Sequence, residues 1–154
     1  MPELQLTKLL NLPNLEIIKY EMPDAETAVL EIRSMLEVAI CPTCKTPSTA
    51  IHDYDDPRLV RDLPLSGRKS YLRYQSRRFE CGVCQKPFTE RVEWMNFDSN
   101  YTKRFEEHVY QLCRKSTVQD VSAFLELGYD AVEGIFQRRA KKRRRHGKSS
   151  RSVS

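Results

Sequence analysis

Four of the five cysteines fall into two equally spaced pairs, Cys41-Pro42-Thr43-Cys44 and Cys81-Gly82-Val83-Cys84, with 36 residues between them. A gap of two residues lets a tight turn aim both sulfurs at one ion while turn amides donate to the thiolates. Pro42 and Gly82 suit such turns, one fixing φ and the other freeing it. Four thiolates complete a tetrahedron around zinc at about 2.3 Å each and leave no position for water or substrate, so the expected ion is structural. Two other chemistries use the same residues. A thioredoxin-like redox pair sits at a helix N-terminus, and neither pair precedes a helical pattern. An iron–sulfur cluster also accepts four cysteines, although the knuckle-and-strand context favours zinc. Cys113 shares a helical phase with Val109 and Leu112 and is expected in a core. His52, His108 and His146 have no partner ligand at close spacing, so none is assigned to metal.

The surrounding chain must position these sulfurs. Leu15–Tyr20 and Thr27–Ile32 carry partial period-two alternation around the turn cluster Met22-Pro23-Asp24-Ala25, which predicts a β-hairpin. Asp53-Tyr54-Asp55-Asp56-Pro57 and Leu63-Pro64-Leu65-Ser66-Gly67 read as turns. Residues 69–80 read as one extended run with Tyr71, Arg73, Gln75, Arg77 and Phe79 on a single face, and Pro87–Trp94 as a returning strand. After Trp94 the period changes to 3.6. Phe105, Val109, Leu112 and Cys113 define a helix from about Ser99 to Arg114. Ser116 and Gln119 have capping-box spacing ahead of a Val118, Val121, Leu125 stripe that Gly128 is expected to stop. Asp130 and Glu133 open a third helix carrying Val132, Ile135, Phe136 and Ala140. The fold class is therefore α+β: an N-terminal β-hairpin with a small antiparallel zinc-ribbon-like module (1–96), a three-helix helix-turn-helix unit (97–142) and a basic disordered tail (143–154).

Charge is distributed unevenly. Residues 138–154 hold nine of the 26 bases and no acid, which leaves 17 bases against 21 acids in residues 1–137. A basic end of this kind attracts polyanions without conferring sequence preference. No run approaches the roughly 18 uninterrupted apolar residues of a membrane span, and the N-terminus does not read as a secretory signal. A cytoplasmic chain is expected, and in a reducing compartment paired cysteines favour metal over disulfides.

Several motifs occur together: Cys41-Pro42-x-Cys44, Arg61-Asp62-Leu63-Pro64-Leu65-x-Gly67, Arg77-Arg78-Phe79-x-Cys81-x-x-Cys84 and Phe88-Thr89-Glu90. This combination, over roughly residues 12–142, resembles the N-terminal part of the ISL-three insertion-sequence transposases. The resemblance implies a zinc-binding module followed by helix-turn-helix DNA-binding segments, with a catalytic domain bearing an acidic triad beyond them. Two residues depart from the pattern: Lys45 stands where the family often has glycine, and Gly134 where the third helix usually has an apolar residue. The basic tail stands where the catalytic domain would begin, so a non-catalytic region, not an enzyme, is expected. Asp53, Asp55 and Asp56 read as a solvated loop, not as a catalytic cluster.

The residues expected to contact DNA are Arg68, Lys69, Arg73, Arg77 and Arg78 in the zinc module, and Gln137, Arg138, Arg139, Lys141, Lys142 and Arg143 at the end of the helical unit. Arg61 is as well explained by an internal pair with an acid. The expected partner is double-stranded DNA, in particular transposon terminal inverted repeats. A homodimer or association with a full-length transposase is also expected, in a cytoplasmic, nucleoid-associated setting without a membrane. The alternative is a protein-interaction adaptor or transcription regulator built on the zinc module.

Overall fold

The computed structural model describes the backbone of residues 2–153 and the side chains of residues 5–145. His146, Lys148 and Arg151 lie outside the described side chains. The chain divides into two compact units, Met1–Thr102 and Lys103–Ser154. Among the described residues no helix is long and apolar enough to cross a membrane.

The first unit opens with helix α1 (Pro2–Leu10), which the sequence reading did not anticipate. Its signals are short but present: Pro2 at the first helical position, and Asn11 beyond the end with a left-handed φ of 57°. Strands β1 (Leu15–Asp24) and β2 (Thr27–Ser34) form the expected hairpin. Its turn is tighter than expected. Pairing continues to Asp24↔Thr27, and Asp24 Oδ1 accepts the Glu26 amide at 2.8 Å. Pro23 is tolerated because β1 is an edge strand with an irregular register between Glu21 and Asp24.

The chain then leaves this sheet for β3 (Ala39–Ile40), β4 (Pro47–Ser48) and β5 (Ile51–Tyr54). It returns as β6 (Arg58–Leu65) and β7 (Arg68–Tyr74), giving a four-stranded sheet of order β1-β2-β7-β6. The β2–β7 contact is parallel, from Thr27↔Lys69 to Ile32↔Tyr74. Ser66 (φ 52°) and Gly67 (φ 78°) make the two-residue turn between β6 and β7, since both left-handed positions match a twisted hairpin. One face of the sheet buries Leu15, Ile17, Leu30, Ile32, Val60, Leu72 and Tyr74 together with Leu10, Val92, Trp94 and Met95. The Tyr74 and Trp94 rings meet edge to face at 5.1 Å.

The extended run expected over 69–80 is two strands in different sheets. It breaks at Gln75-Ser76, where the buried Ser76 turns its carbonyl to the Asp55 amide at 2.9 Å. Beyond the break, β8 (Arg77–Glu80) pairs with β5 and with β9 (Pro87–Thr89). The break corrects the expected common face: Tyr71 and Arg73 are half-buried, whereas Phe79 is buried. The segment read as an Asp-rich turn is also partly strand, with Asp53 and Tyr54 paired to Arg78 and Arg77.

In the second unit, α2 (Lys103–Lys115), α3 (Val118–Leu125) and α4 (Tyr129–Val153) bury Phe105, Val109, Val121, Leu125, Val132 and Ile135. Helix α2 starts four residues later than expected, because Tyr101 and Thr102 are bridged to Arg61 and Met95 in the first unit. Both caps of α3 differ from the sequence expectation. Thr117, not Ser116, is the N-cap and accepts the Asp120 amide at 3.0 Å. The left-handed C-terminal residue is Glu126 (φ 55°), with the Leu127 amide on the Ser122 carbonyl at 3.0 Å, not Gly128. Gly128 instead offers its carbonyl to Val132 at the start of α4, a role a flexible N-terminal residue fills well. Residues 143–153, expected as a disordered tail, continue α4. Lysine and arginine are good helix formers, and no proline interrupts the run. Thr117→Ala should cost about 1 kcal/mol of helical-unit stability, seen as an earlier thermal transition by circular dichroism.

Candidate metal centre and nucleic-acid surface

Each cysteine pair occupies the turn of a short β-hairpin, the first between β3 and β4, the second between β8 and β9. The two turns repeat the same bonds. The Cys41 amide donates to the Thr46 carbonyl at 3.0 Å and the Lys45 amide to the Cys41 carbonyl at 2.9 Å. Likewise the Cys81 amide reaches Lys86 at 3.2 Å and the Gln85 amide reaches Cys81 at 2.8 Å. The residue after each second cysteine is left-handed, Lys45 at φ 62° and Gln85 at φ 57°. That conformation explains why glycine suits the Lys45 position. Pro42 and Gly82 do not carry the positive φ of these turns.

The hairpins bring the sulfurs of Cys41, Cys44, Cys81 and Cys84 within 4.8 Å of one another. Tetrahedral bonds of about 2.3 Å would set sulfurs about 3.8 Å apart, the scale of this cluster. The sulfurs also compete for protons. Thr46, through its hydroxyl and its amide, pulls the Cys44 thiol down to about 6. The Cys44 and Thr43 amides lower Cys41 despite burial. Cys84 is pushed up to about 12 by Cys44, by burial and by Cys41. Four thiolates this close can all ionise only around a cation, and the donor set fits a structural zinc ion. No histidine or carboxylate joins the group among the described residues. Cys113 is half-buried, not a core residue as expected, and its thiol is raised by that burial.

Beneath the second knuckle lies a carboxylate that the sequence reading did not single out. Glu90 is 3% exposed, and its oxygens accept the Tyr74 hydroxyl at 2.9 Å, the Ser34 hydroxyl at 3.0 Å and the Arg77 guanidinium at 3.0 Å. Arg77 also donates to Ser34 Oγ at 3.1 Å and to the Leu36 carbonyl at 2.5 Å. Burial and the charge of Glu90 both push the Tyr74 phenol upward. Arg77 and Glu90 flank the second knuckle hairpin, and Leu36 lies on the segment entering the first. The ion pair therefore clamps both cysteine hairpins to the large sheet. The available signal was the joint occurrence of Arg77-Arg78-Phe79 and Phe88-Thr89-Glu90.

Arg77, one of the residues expected to contact DNA, has its guanidinium held inside the module by this clamp. Arg73 pairs with Glu21 at 3.0 Å and Arg78 with Asp53 at 3.2 Å, while Arg68 and Lys69 sit half-buried at the start of β7. Arg61 is 5% exposed and its backbone bonds Asn100 and Thr102, and Asp62 accepts the Thr102 hydroxyl at 2.8 Å. The arginine-aspartate element is thus internal. In the helical unit, Arg138 bonds Glu106 at 3.1 Å, Arg139 bonds the Lys103 carbonyl, and Arg143 bonds Glu107. Gln137 reaches Glu133 at 3.5 Å, and Lys141 and Lys142 are exposed.

Purified protein should contain one zinc per chain by elemental analysis, and Cys81→Ser or strong chelation should abolish cooperative unfolding of the first unit. Metal-free protein that melts unchanged would refute the assignment. Glu90→Ala should cost about 3–5 kcal/mol by denaturant titration, because it leaves the Arg77 charge unpaired and largely buried. The double change Glu90→Ala with Arg77→Met should cost less than Glu90→Ala alone.

Two families match the chain over adjacent segments. Residues 37–84 match the zinc-finger of transposase IS204/IS1001/IS1096/IS1165, and residues 90–140 match the helix-turn-helix domain of transposase family ISL3. A curated relative, the transposase for insertion sequence element IS1001 of Bordetella parapertussis, is 28% identical over 120 residues. That match covers 78% of this chain but only 29% of the relative. No solved structure matches. The matched zinc finger takes in both cysteine knuckles and the helix-turn-helix segment takes in α2 and α3, so over these two segments the chain is similar to the zinc-finger and helix-turn-helix regions of ISL3-type transposases.

Proposed function

We propose that this chain binds double-stranded DNA as the end-recognition region of an insertion-sequence transposase, with terminal inverted repeats as its target. The observation that carries the proposal is the coincidence of the helix-turn-helix match with α2, α3 and the first half of α4. Helices α3 and α4 are joined by the short turn Glu126–Gly128, the connection a helix-turn-helix pair uses. In this reading α4 is the helix presented to the major groove. Gln137 is placed to read base edges, and Lys141, Lys142, Arg144 and Arg145, all exposed, meet phosphates. Arg68 and Lys69 at the β6–β7 turn add a second contact from the zinc module, whose ion holds that module in shape.

The role assigned to these regions is binding, not strand cleavage. The relative is a transposase, and this chain spans less than a third of its length. A cytoplasmic, nucleoid-associated setting follows from the DNA target, and a pair of chains, or one chain with a complete transposase, would match paired transposon ends.

One observation favours a protein-binding role for the zinc module: Ile40, Ile51 and Val83 are 52%, 44% and 67% exposed near the knuckles, and Arg73, Arg77 and Arg78 are each paired with an acid. Electrophoretic mobility shift at fixed salt separates the readings. A terminal-repeat duplex should be retarded at a lower protein concentration than a scrambled duplex of equal length. Equal affinity removes end recognition, and no retardation of either at low salt favours the adaptor.

A further inference from the structure

Helices α2 and α4 enclose a cleft of 370 Å³ lined by Glu107, Arg139, Lys142 and Arg143, three cations around one carboxylate. The cleft is organised, not merely basic. Arg143 donates to Glu107, and its guanidinium lies 5.0 Å from the centre of the Tyr110 ring, which itself stacks on Phe136 at 5.3 Å. Arg139 is held by the Lys103 carbonyl, its side chain is only 14% exposed, and its Nε lies 3.8 Å from Glu107 without a hydrogen bond. Gln111 donates at 2.9 Å to Glu107 Oε1, the oxygen that Arg143 also reaches. Lys142 is exposed at the rim. A carboxylate sits where two guanidinium groups converge, and a third cation has no acid of its own in the cleft. Formal charge in the cleft is therefore positive even with Glu107 ionised.

We propose that this cleft binds a phosphodiester group of the DNA backbone, with Glu107 as an internal oxyanion that holds Arg139 and Arg143 in place until the phosphate takes its position. The inference rests on the DNA-binding reading and adds the site and its competitor. Guanidinium forks match phosphate oxygens as they match a carboxylate, and a tetrahedral anion can engage Arg143 and Lys142 together. Burial works against the Glu107 charge, but Gln111, Arg143 and Arg139 outweigh it and lower the carboxyl, so the competitor remains charged at neutral pH. A base edge is a poorer occupant. It would need acceptors and donors in one plane, whereas the cleft offers donors from three cations and one anionic acceptor.

Duplex binding by the full chain, followed across a salt series, tests the site. Lys142→Ala should weaken all duplexes alike and reduce the slope of log affinity against log salt by about 1. Glu107→Gln should tighten binding by roughly 2- to 5-fold, the scale of one exposed ion pair. The gain should disappear in an Arg139→Ala, Arg143→Ala background. Glu37→Gln, an equal charge change in the other unit, should leave affinity nearly unchanged. A Glu107→Gln gain that persists without the two arginines, or a salt slope unaltered by Lys142→Ala, overturns the proposal. Thermal melts of each variant separate binding loss from unfolding. If the wild-type chain retards no duplex, the DNA-binding reading fails. The cleft is then judged by titrating inorganic phosphate and following amide resonances of residues 139–143, where shifts saturating with phosphate support the anion site and their absence overturns it.

Discussion

Four sulfurs within 4.8 Å of one another cannot share that space as ordinary thiols, and this constraint governs the first half of the molecule. Protons settle unevenly among them, with Cys44 drawn down to about 6 and Cys84 driven up to about 12, unless a cation balances all four. The apolar cluster beneath them is small: Ala39, Phe79 and Phe88, with Cys41 and Cys81 as its remaining buried members. A core of that size supplies little stability by area alone. The metal is therefore a structural member of the fold, and two hairpins far apart in sequence meet because they share one ion.

Glu90 carries this constraint to the rest of the unit. Its carboxylate joins the strand after the second knuckle to Tyr74 in β7 and Ser34 in β2. Arg77 extends the link to Leu36 on the way to the first knuckle. A buried ion pair adds little net stability compared with a well-packed apolar pair, yet it penalises any arrangement that separates its members. Here it fixes how the zinc hairpins sit on the four-stranded sheet. Arg61 and Asp62 act similarly at the other end of that sheet, where buried polar groups tie β6 to residues 100–102.

Ion pairing also changes the meaning of the basic residues. Counted in the sequence, the arginines of residues 58–80 form a zone for polyanions. In the fold, Arg73, Arg77 and Arg78 each face an acid supplied from elsewhere in the first unit. In the helical unit, Arg138, Arg139 and Arg143 face the acidic side of α2. Exposed positive charge is thereby moved toward Lys141, Lys142, Arg144 and Arg145 on α4, so any polyanion must either use these or displace the acids.

Cysteine spacing, the β-hairpin, the three helical stripes and the family motifs were legible in the residues alone, because each depends on periodicity or on ligands a few positions apart. The metal site was legible for the same reason: a two-residue gap builds its half of a tetrahedron locally. Tertiary structure decided what depends on distant partners. It split residues 69–80 between two sheets at Ser76, set β2 parallel to β7 across a long excursion and placed Arg77 against Glu90 instead of solvent. It also moved the left-handed end of α3 from Gly128 to Glu126, since the turn was set by where α4 packs and not by which residue bends most easily. Local chemistry shows which groups want a charge or an ion beside them. Only the folded chain shows which distant group meets that need.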